Sequence, residues 1–190
     1  MSTLTRRAAT LDDLLKVEGK AELIAGRIVH FMASGALPGS VAFEIAVGLR
    51  EYARREKRGK AFADGIGYAL PTPLAGSGRE SFSPDASFYD GQLPLNPMRF
   101  IDGVPLLAVE VRSENDYGPK AEREMAEKRE DYALAGTQVV WDVDPLAESI
   151  AKYDATNLAA PTIFHRGEVA DAEPALPGWR LNVDDVFAVS

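Results

Sequence analysis

The chain has 190 residues, 46% hydrophobic and 26% charged, the balance of one folded domain with a sizeable core and not of a disordered, collagen-like or disulfide-knotted chain. It contains no cysteine, which excludes disulfides, thiolate nucleophiles, iron–sulfur clusters and cysteine zinc sites. The formal charge of −8, from 21 basic and 29 acidic residues, argues against coating nucleic acid through a global positive field, though not against a local contact.

No apolar run of signal-peptide length follows Arg6 and Arg7, and no stretch approaches the ~20 apolar residues of a membrane span. A soluble cytoplasmic protein is the expectation. Neither a repeat nor a Ser-, Gly- or Pro-rich linker divides the chain, so residues 1–190 are read as a single domain. Residues 10–16 predict a short helix capped by Thr10. Residues 21–31 predict two strands around Ala25-Gly26, a hairpin. A long amphipathic helix follows over 40–58, with Val41, Ile45, Leu49 and Tyr52 on one face. Residues 61–70 alternate weakly and predict a strand; 85–89 and 106–112 predict two more. A second helix spans 121–135 and ends at Gly136. A buried strand over 138–143 and antiparallel strands over 149–153 and 162–165 come next, and 177–187 closes the chain. Helices interrupting strands in this order predict a mixed α/β fold, a central sheet flanked by helices.

Four features carry chemistry. In Leu106-Leu107-Ala108-Val109-Glu110-Val111-Arg112-Ser113 an apolar run meets a glutamate inside a strand. Strand alternation puts Glu110 and Arg112 on one face. A carboxylate there costs several kcal/mol unless compensated, either by an internal pair with Arg112, by water at a sheet edge, or by a bound cation. In Ser83-Pro84-Asp85-Ala86-Ser87-Phe88, Asp85 is either a turn residue or a second carboxylate beside Glu110, since the two strands can lie side by side. Two carboxylates at one spot suit a hard cation such as Mg²⁺. Lys128 shares a helical stripe with Met125 and Tyr132, so it either points at the strands or snorkels to solvent. Glu44, beside Phe43 and Ile45, is either an exposed helix glutamate or a further acid of the same set.

The ordered set of helix Glu, Pro-Asp, Glu-x-Arg and helix Lys resembles the PD-(D/E)XK nuclease superfamily. AELIAGRIVHF, SPDASFY, PLLAVEVRSEND, KREDYALAGTQVVWDVDP and PGWRLNVDDVF together resemble the Uma-type restriction endonuclease family over residues 18–188. The resemblance implies a restriction endonuclease-like fold. It implies that Asp85 and Glu110 bind Mg²⁺ or Mn²⁺, that Glu44 adds a nearby ligand, and that the Val111 carbonyl completes the protein donors. Lys128 would replace the strand lysine of the superfamily, whose position holds Arg112, a residue that cannot act as a base. A histidine often found two residues before the helix acid is Ala42 here.

Other chemistries find no support. No GxSxG elbow or Walker-type loop is present, and Asp64-Gly65-Ile66-Gly67-Tyr68 lacks the third glycine of a dinucleotide motif. His30 and His165, in strand-like segments, are read as structural. The expected activity is hydrolysis of DNA phosphodiesters; the alternative is a catalytically silent nuclease-fold module that binds a partner or dimerises. A homodimer suits an enzyme that cuts two strands. Arg50, Arg54, Arg55, Lys57, Arg58 and Lys60 against Glu51 and Glu56 give residues 50–60 a charge of +4 and leave −12 elsewhere, so a local, salt-sensitive DNA contact is expected there.

Overall fold

The computed structural model describes residues 7–188; the first six residues, part of the N-terminal stretch read for an export signal, and the last two lie outside it. One-turn helix α1 (Leu11–Leu14) starts at a reciprocal capping box, in which the Thr10 hydroxyl accepts from the Asp13 N–H and the Asp13 carboxylate accepts from the Thr10 N–H. The hairpin of β1 (Ala21–Ile24) and β2 (Arg27–His30) turns at Ala25 and Gly26, both in the left-handed region. Helix α2 (Ala36–Glu56) begins before the expected residue 40, since Pro38 fits a first helical turn.

The single strand expected over 61–70 is two. β3 (Lys60–Ala63) and β4 (Tyr68–Ala69) belong to different sheets. The chain turns at Gly65 (φ 93°), and a Cβ on Gly67 would meet the Phe100 ring at 2.5 Å. Weak alternation hid a glycine corner. After β5 (Ser81–Phe82) and β6 (Ala86–Tyr89) come β7 (Ile101–Asp102) and β8 (Leu107–Val111). Helix α3 (Pro119–Ala135) ends on Gly136 at φ 108°, as its sequence predicts. β9 (Val139–Asp144), β10 (Ser149–Asp154), β11 (Thr162–His165), β12 (Val169–Asp171), β13 (Arg180–Asn182) and α4 (Val183–Phe187) complete the chain.

The central sheet is six-stranded and mixed, in the order β11-β10-β9-β8-β6-β3. Its one parallel pair is β8 with β9, which α3 connects. One face carries Phe88, Val109, Val111, Trp141 and Val143 against α2 and the C-terminal segment, where Trp141 stacks on Trp179 at 5.0 Å. The other carries Ala108 and Val140 against α3 and the small sheet β5-β4-β7, joined by Phe82 stacked on Tyr132 at 4.1 Å. Burying each such large side chain stabilises the fold by about 1.5–3 kcal/mol. The second contact fixes the face of α3 that carries Lys128 and Tyr132. Among the described residues, no helix is long and apolar enough to cross a membrane.

Candidate active site

The pairing of β6 with β8 sets Ala86 opposite Val109, so Asp85, one residue earlier, falls opposite Glu110. The Asp85 N–H donates to the Val109 carbonyl at 2.9 Å, and Asp85 Oδ2 accepts from the Val111 N–H at 2.8 Å. A strand residue sends its N–H and C=O to the same edge, so the Val111 carbonyl leaves on the Asp85 side. On the other flank, the parallel register sets Glu110 beside Asp142. Three acids thus stand in a row on adjacent strands, all on the α3 face.

Cations meet the first two. Lys20, just before β1, donates through Nζ to Asp85 Oδ1 at 2.5 Å and lies 2.7 Å from Asp64 Oδ1. Lys128 Nζ donates to Glu110 Oε2 at 2.9 Å and lies 3.1 Å from Glu22 Oε1. The Tyr132 hydroxyl donates to Glu110 Oε1 at 2.7 Å. Behind them Glu22, fully buried, also takes the Ser83 N–H and the Arg79 guanidinium, and Arg79 reaches Asp131 at 2.7 Å. Among the described residues, five carboxylates (Glu22, Asp64, Asp85, Glu110, Asp131) face three cations (Lys20, Arg79, Lys128), a surplus of two negative charges.

The electrostatics follow. Burial pushes the Glu110 carboxyl up, Lys128 opposes this, and the neighbouring Asp85 and Glu22 charges add to the rise. Glu22 goes the other way: burial would raise it, but Lys128 and Arg79 together hold it below the usual range. Lys128 stays above its ordinary value because Glu110 and Glu22 outweigh its burial, and Lys20 does so through Asp85 and Glu110. Burial and Glu110 lift the Tyr132 phenol well above its ordinary value. Both lysines are therefore ammonium ions near neutral pH and serve as charges, not bases.

Asp142 belongs to a different network. Arg112 grips it with two hydrogen bonds of 2.8 Å, and Arg129 adds one of 2.6 Å. Both arginines also reach Glu122. The internal Glu110–Arg112 pair raised by the sequence is not formed; Arg112 shares the face but turns to the next strand.

The structure brings Asp85, Glu110, Val111 and Lys128 together and leaves Glu44 apart. Glu44 is exposed on α2, and among the described residues no third His, Asp or Glu joins Asp85 and Glu110 in a metal-holding group. The expected helix acid is corrected to an exposed glutamate. The helical phase explains it: Val41, Ala42 and Ile45 are the residues that face inward. Asp85 instead opens, with Asp64, onto a shallow pocket of about 210 Å³ whose α2 wall is Gly39, Ala42 and Phe43. Arg50, Arg54, Arg55, Lys57, Arg58 and Lys60 are exposed, with Arg55 bound to Glu56 and Arg58 to Asp90. Arg54 lies about 18 Å along α2 from the pocket wall at Ala42, at ~1.5 Å per residue. His30 and His165 are exposed, not core residues.

Sequence reasoning missed Lys20, Glu22, Arg79 and the hydroxyl role of Tyr132. Glu22 had a signal, an acid in a strand otherwise read as apolar. Lys20 and Arg79 had none, because loop residues have no period to break.

Comparison with known proteins decides the family. The sequence profile of the Uma2 family, described as "Putative restriction endonuclease", matches residues 9–184. The chain belongs to this family. The fold agrees: the Uma2 chain is similar to the crystal structure of a "putative nuclease belonging to DUF820" from Anabaena variabilis ATCC 29413, at a TM-score of 0.73 and 18% identity, over 94% of this chain and 97% of that one. The architecture is thus the restriction endonuclease-like fold expected from the sequence. No curated protein matches the chain.

Proposed function

We propose that this Uma2 protein is a divalent-metal-dependent endonuclease that hydrolyses DNA phosphodiesters, with Asp85 and Glu110 as its metal-binding carboxylates and the Val111 carbonyl as a third donor. The observation that carries the reading is the charge imbalance at a strand pairing: two carboxylates set face to face by register, within a cluster short of two positive charges. The donors are all oxygen, which fits Mg²⁺ or Mn²⁺ and not a thiophilic ion. The upward pressure on Glu110 is what an added cation would relieve.

Such an ion supplies an activated water and offsets charge on the phosphate. The chain's own residues do the rest. The Val111 N–H and the Tyr132 hydroxyl hold the two carboxylates in fixed rotamers. Lys128, anchored on Glu110 and Glu22, orients the attacking water or meets developing negative charge as an ammonium. The open pocket beside Asp85 admits the substrate backbone. The exposed basic end of α2 gives a salt-sensitive contact to more distant phosphates, and Arg54→Glu with Arg58→Glu should weaken DNA binding. Cutting both strands of a duplex needs two sites, so the reading includes a homodimer in the cytoplasm.

Cleavage of plasmid and oligonucleotide DNA with Mg²⁺ or Mn²⁺ tests it, against Glu110→Gln and Lys128→Ala. Cleavage that persists unchanged in both variants sinks the assignment. One observation favours a second reading, a catalytically silent module: every oxygen of Asp85 and Glu110 already accepts a protein hydrogen bond. Calorimetry with Mg²⁺ separates the two, since a silent module gives no heat.

A further inference from the structure

We infer that Lys20 is a displaceable resident of the metal site: its ammonium neutralises Asp85 while no metal is bound, and once displaced it is the residue that meets the substrate phosphate at the pocket mouth. This rests on the metal reading above and adds a residue and an order of events to it.

The two lysines of the cluster differ in what they hold. Lys128 bridges Glu110 and Glu22, and Glu22 is wholly buried with further bonds to Arg79 and the Ser83 N–H. Moving Lys128 would strip a buried carboxylate of a partner, a costly step. Lys20 bridges Asp85 and Asp64, and both of these line the open pocket. Its partner Asp64 is 46% exposed in its side chain, so Lys20 can swing toward solvent beside it without stranding a buried charge. Lys20 is also carried by the short segment before β1, outside any helix. Its anchors are therefore exchangeable where those of Lys128 are not.

Position sets the destination. A cation held by Asp85 would compete with the Lys20 ammonium, which lies 2.5 Å from Asp85 Oδ1. The displaced ammonium keeps Asp64 at the pocket rim and carries a flexible four-carbon stem. A phosphate entering the pocket between Asp64 and the Ala42–Phe43 wall meets it there. Lys20 then compensates the charge that Asp64 would otherwise turn against the phosphate.

Two titrations on the full chain test this, with Lys20→Met and Lys20→Arg. The first uses Mn²⁺ alone in calorimetry. Without the competing ammonium, Lys20→Met should bind Mn²⁺ several-fold tighter than the parent, a direction that mere damage to the site would not produce. Lys20→Arg keeps the charge and should stay near the parent value, which also guards against a misfolded Met variant. The second titrates inorganic phosphate into Mn²⁺-saturated protein, where Lys20→Met should bind about 10-fold more weakly or worse, as for a lost hydrogen bond between charged groups. Equal or weaker Mn²⁺ binding by Lys20→Met, or unchanged phosphate binding, overturns the role of Lys20 and leaves the metal site standing. Absence of Mn²⁺ binding in parent and variants alike overturns the metal reading itself.

Discussion

Glu110 and Asp142 sit side by side across the parallel strands β8 and β9, yet the protein treats them differently. Asp142 is clamped by two guanidiniums, Arg112 and Arg129, in short, fork-shaped hydrogen bonds. Glu110 is held by one ammonium and one phenol, with a second acid opposite it. Guanidiniums are permanent, geometrically rigid partners; an ammonium is a point charge on a flexible stem. The first arrangement suits a structural tie between α3 and the sheet. The second leaves negative charge uncompensated and exchangeable, which is what a site for a cation requires. One sheet level thus holds a strut and the proposed site a strand apart.

Disabling one residue of each network separates these roles most sharply. Glu110→Gln should abolish Mn²⁺ binding and reduce DNA cleavage on the order of 10³-fold, beyond the ~10–100-fold typical of outer partners. Its melting temperature should fall less than that of an arginine variant, since burial already disfavours the ionised Glu110. Arg129→Met should do the reverse. It removes one partner of an almost fully buried aspartate, a change that costs about 3–5 kcal/mol, toward the low end because Arg112 remains. That lowers the melting temperature by roughly 6–12 °C for a chain of this size, with cleavage per folded molecule retained. A variant at Arg129 that keeps its stability but loses Mn²⁺ binding would erase the distinction.

The strut and the site were unequally legible in the sequence. Asp85, Glu110 and Lys128 each broke a local pattern: an acid after proline at a strand start, an acid inside an apolar run, a lysine on an apolar stripe. Such breaks persist only where something compensates them. Glu44 broke nothing, because glutamate is ordinary on a helix, and only the rotation of α2 shows that it faces solvent. Lys20 and Arg79 lie outside regular strands and helices, so their tertiary partners, Asp85 and Glu22, could not be read from local period. The strands β5 and β7, two residues each, are likewise too short to show alternation, yet they support Phe82 and so the placement of Tyr132.

Tyr132 lies on the border between strut and site. It stacks on Phe82 and donates to Glu110. Tyr132→Phe keeps the stacking and deletes the hydrogen bond, so the fold should persist while one Glu110 oxygen loses its donor. A hydrogen bond to a charged group contributes about 1.5–3 kcal/mol, so a visible drop in melting temperature is expected with a ~10–100-fold loss in Mn²⁺ affinity or cleavage. Unaltered Mn²⁺ affinity would assign Tyr132 to packing alone.

The smallest effect belongs to the outer end of the arginine network. Burial would raise the Glu122 carboxyl, but hydrogen bonding to Arg129 and the charge of Arg112 hold it below its ordinary value of 4.5. A carboxyl lowered in the folded state lends stability that is fully present above its unfolded value and is lost as pH falls through the folded one. Glu122→Gln should therefore lower stability slightly at pH 7 and flatten the decline below about pH 4.5, where the parent loses this contribution by protonation. Its side chain is 49% exposed, so solvent screening limits the difference to about 0.5 kcal/mol. Urea unfolding at pH 7 and pH 3.5 measures it: the gap between parent and variant should narrow at the lower pH. A gap that widens instead would mean that Arg112 and Arg129 depend on Glu122 to stay on Asp142, and the strut would then be one cooperative unit and not a clamp with a loose outer partner.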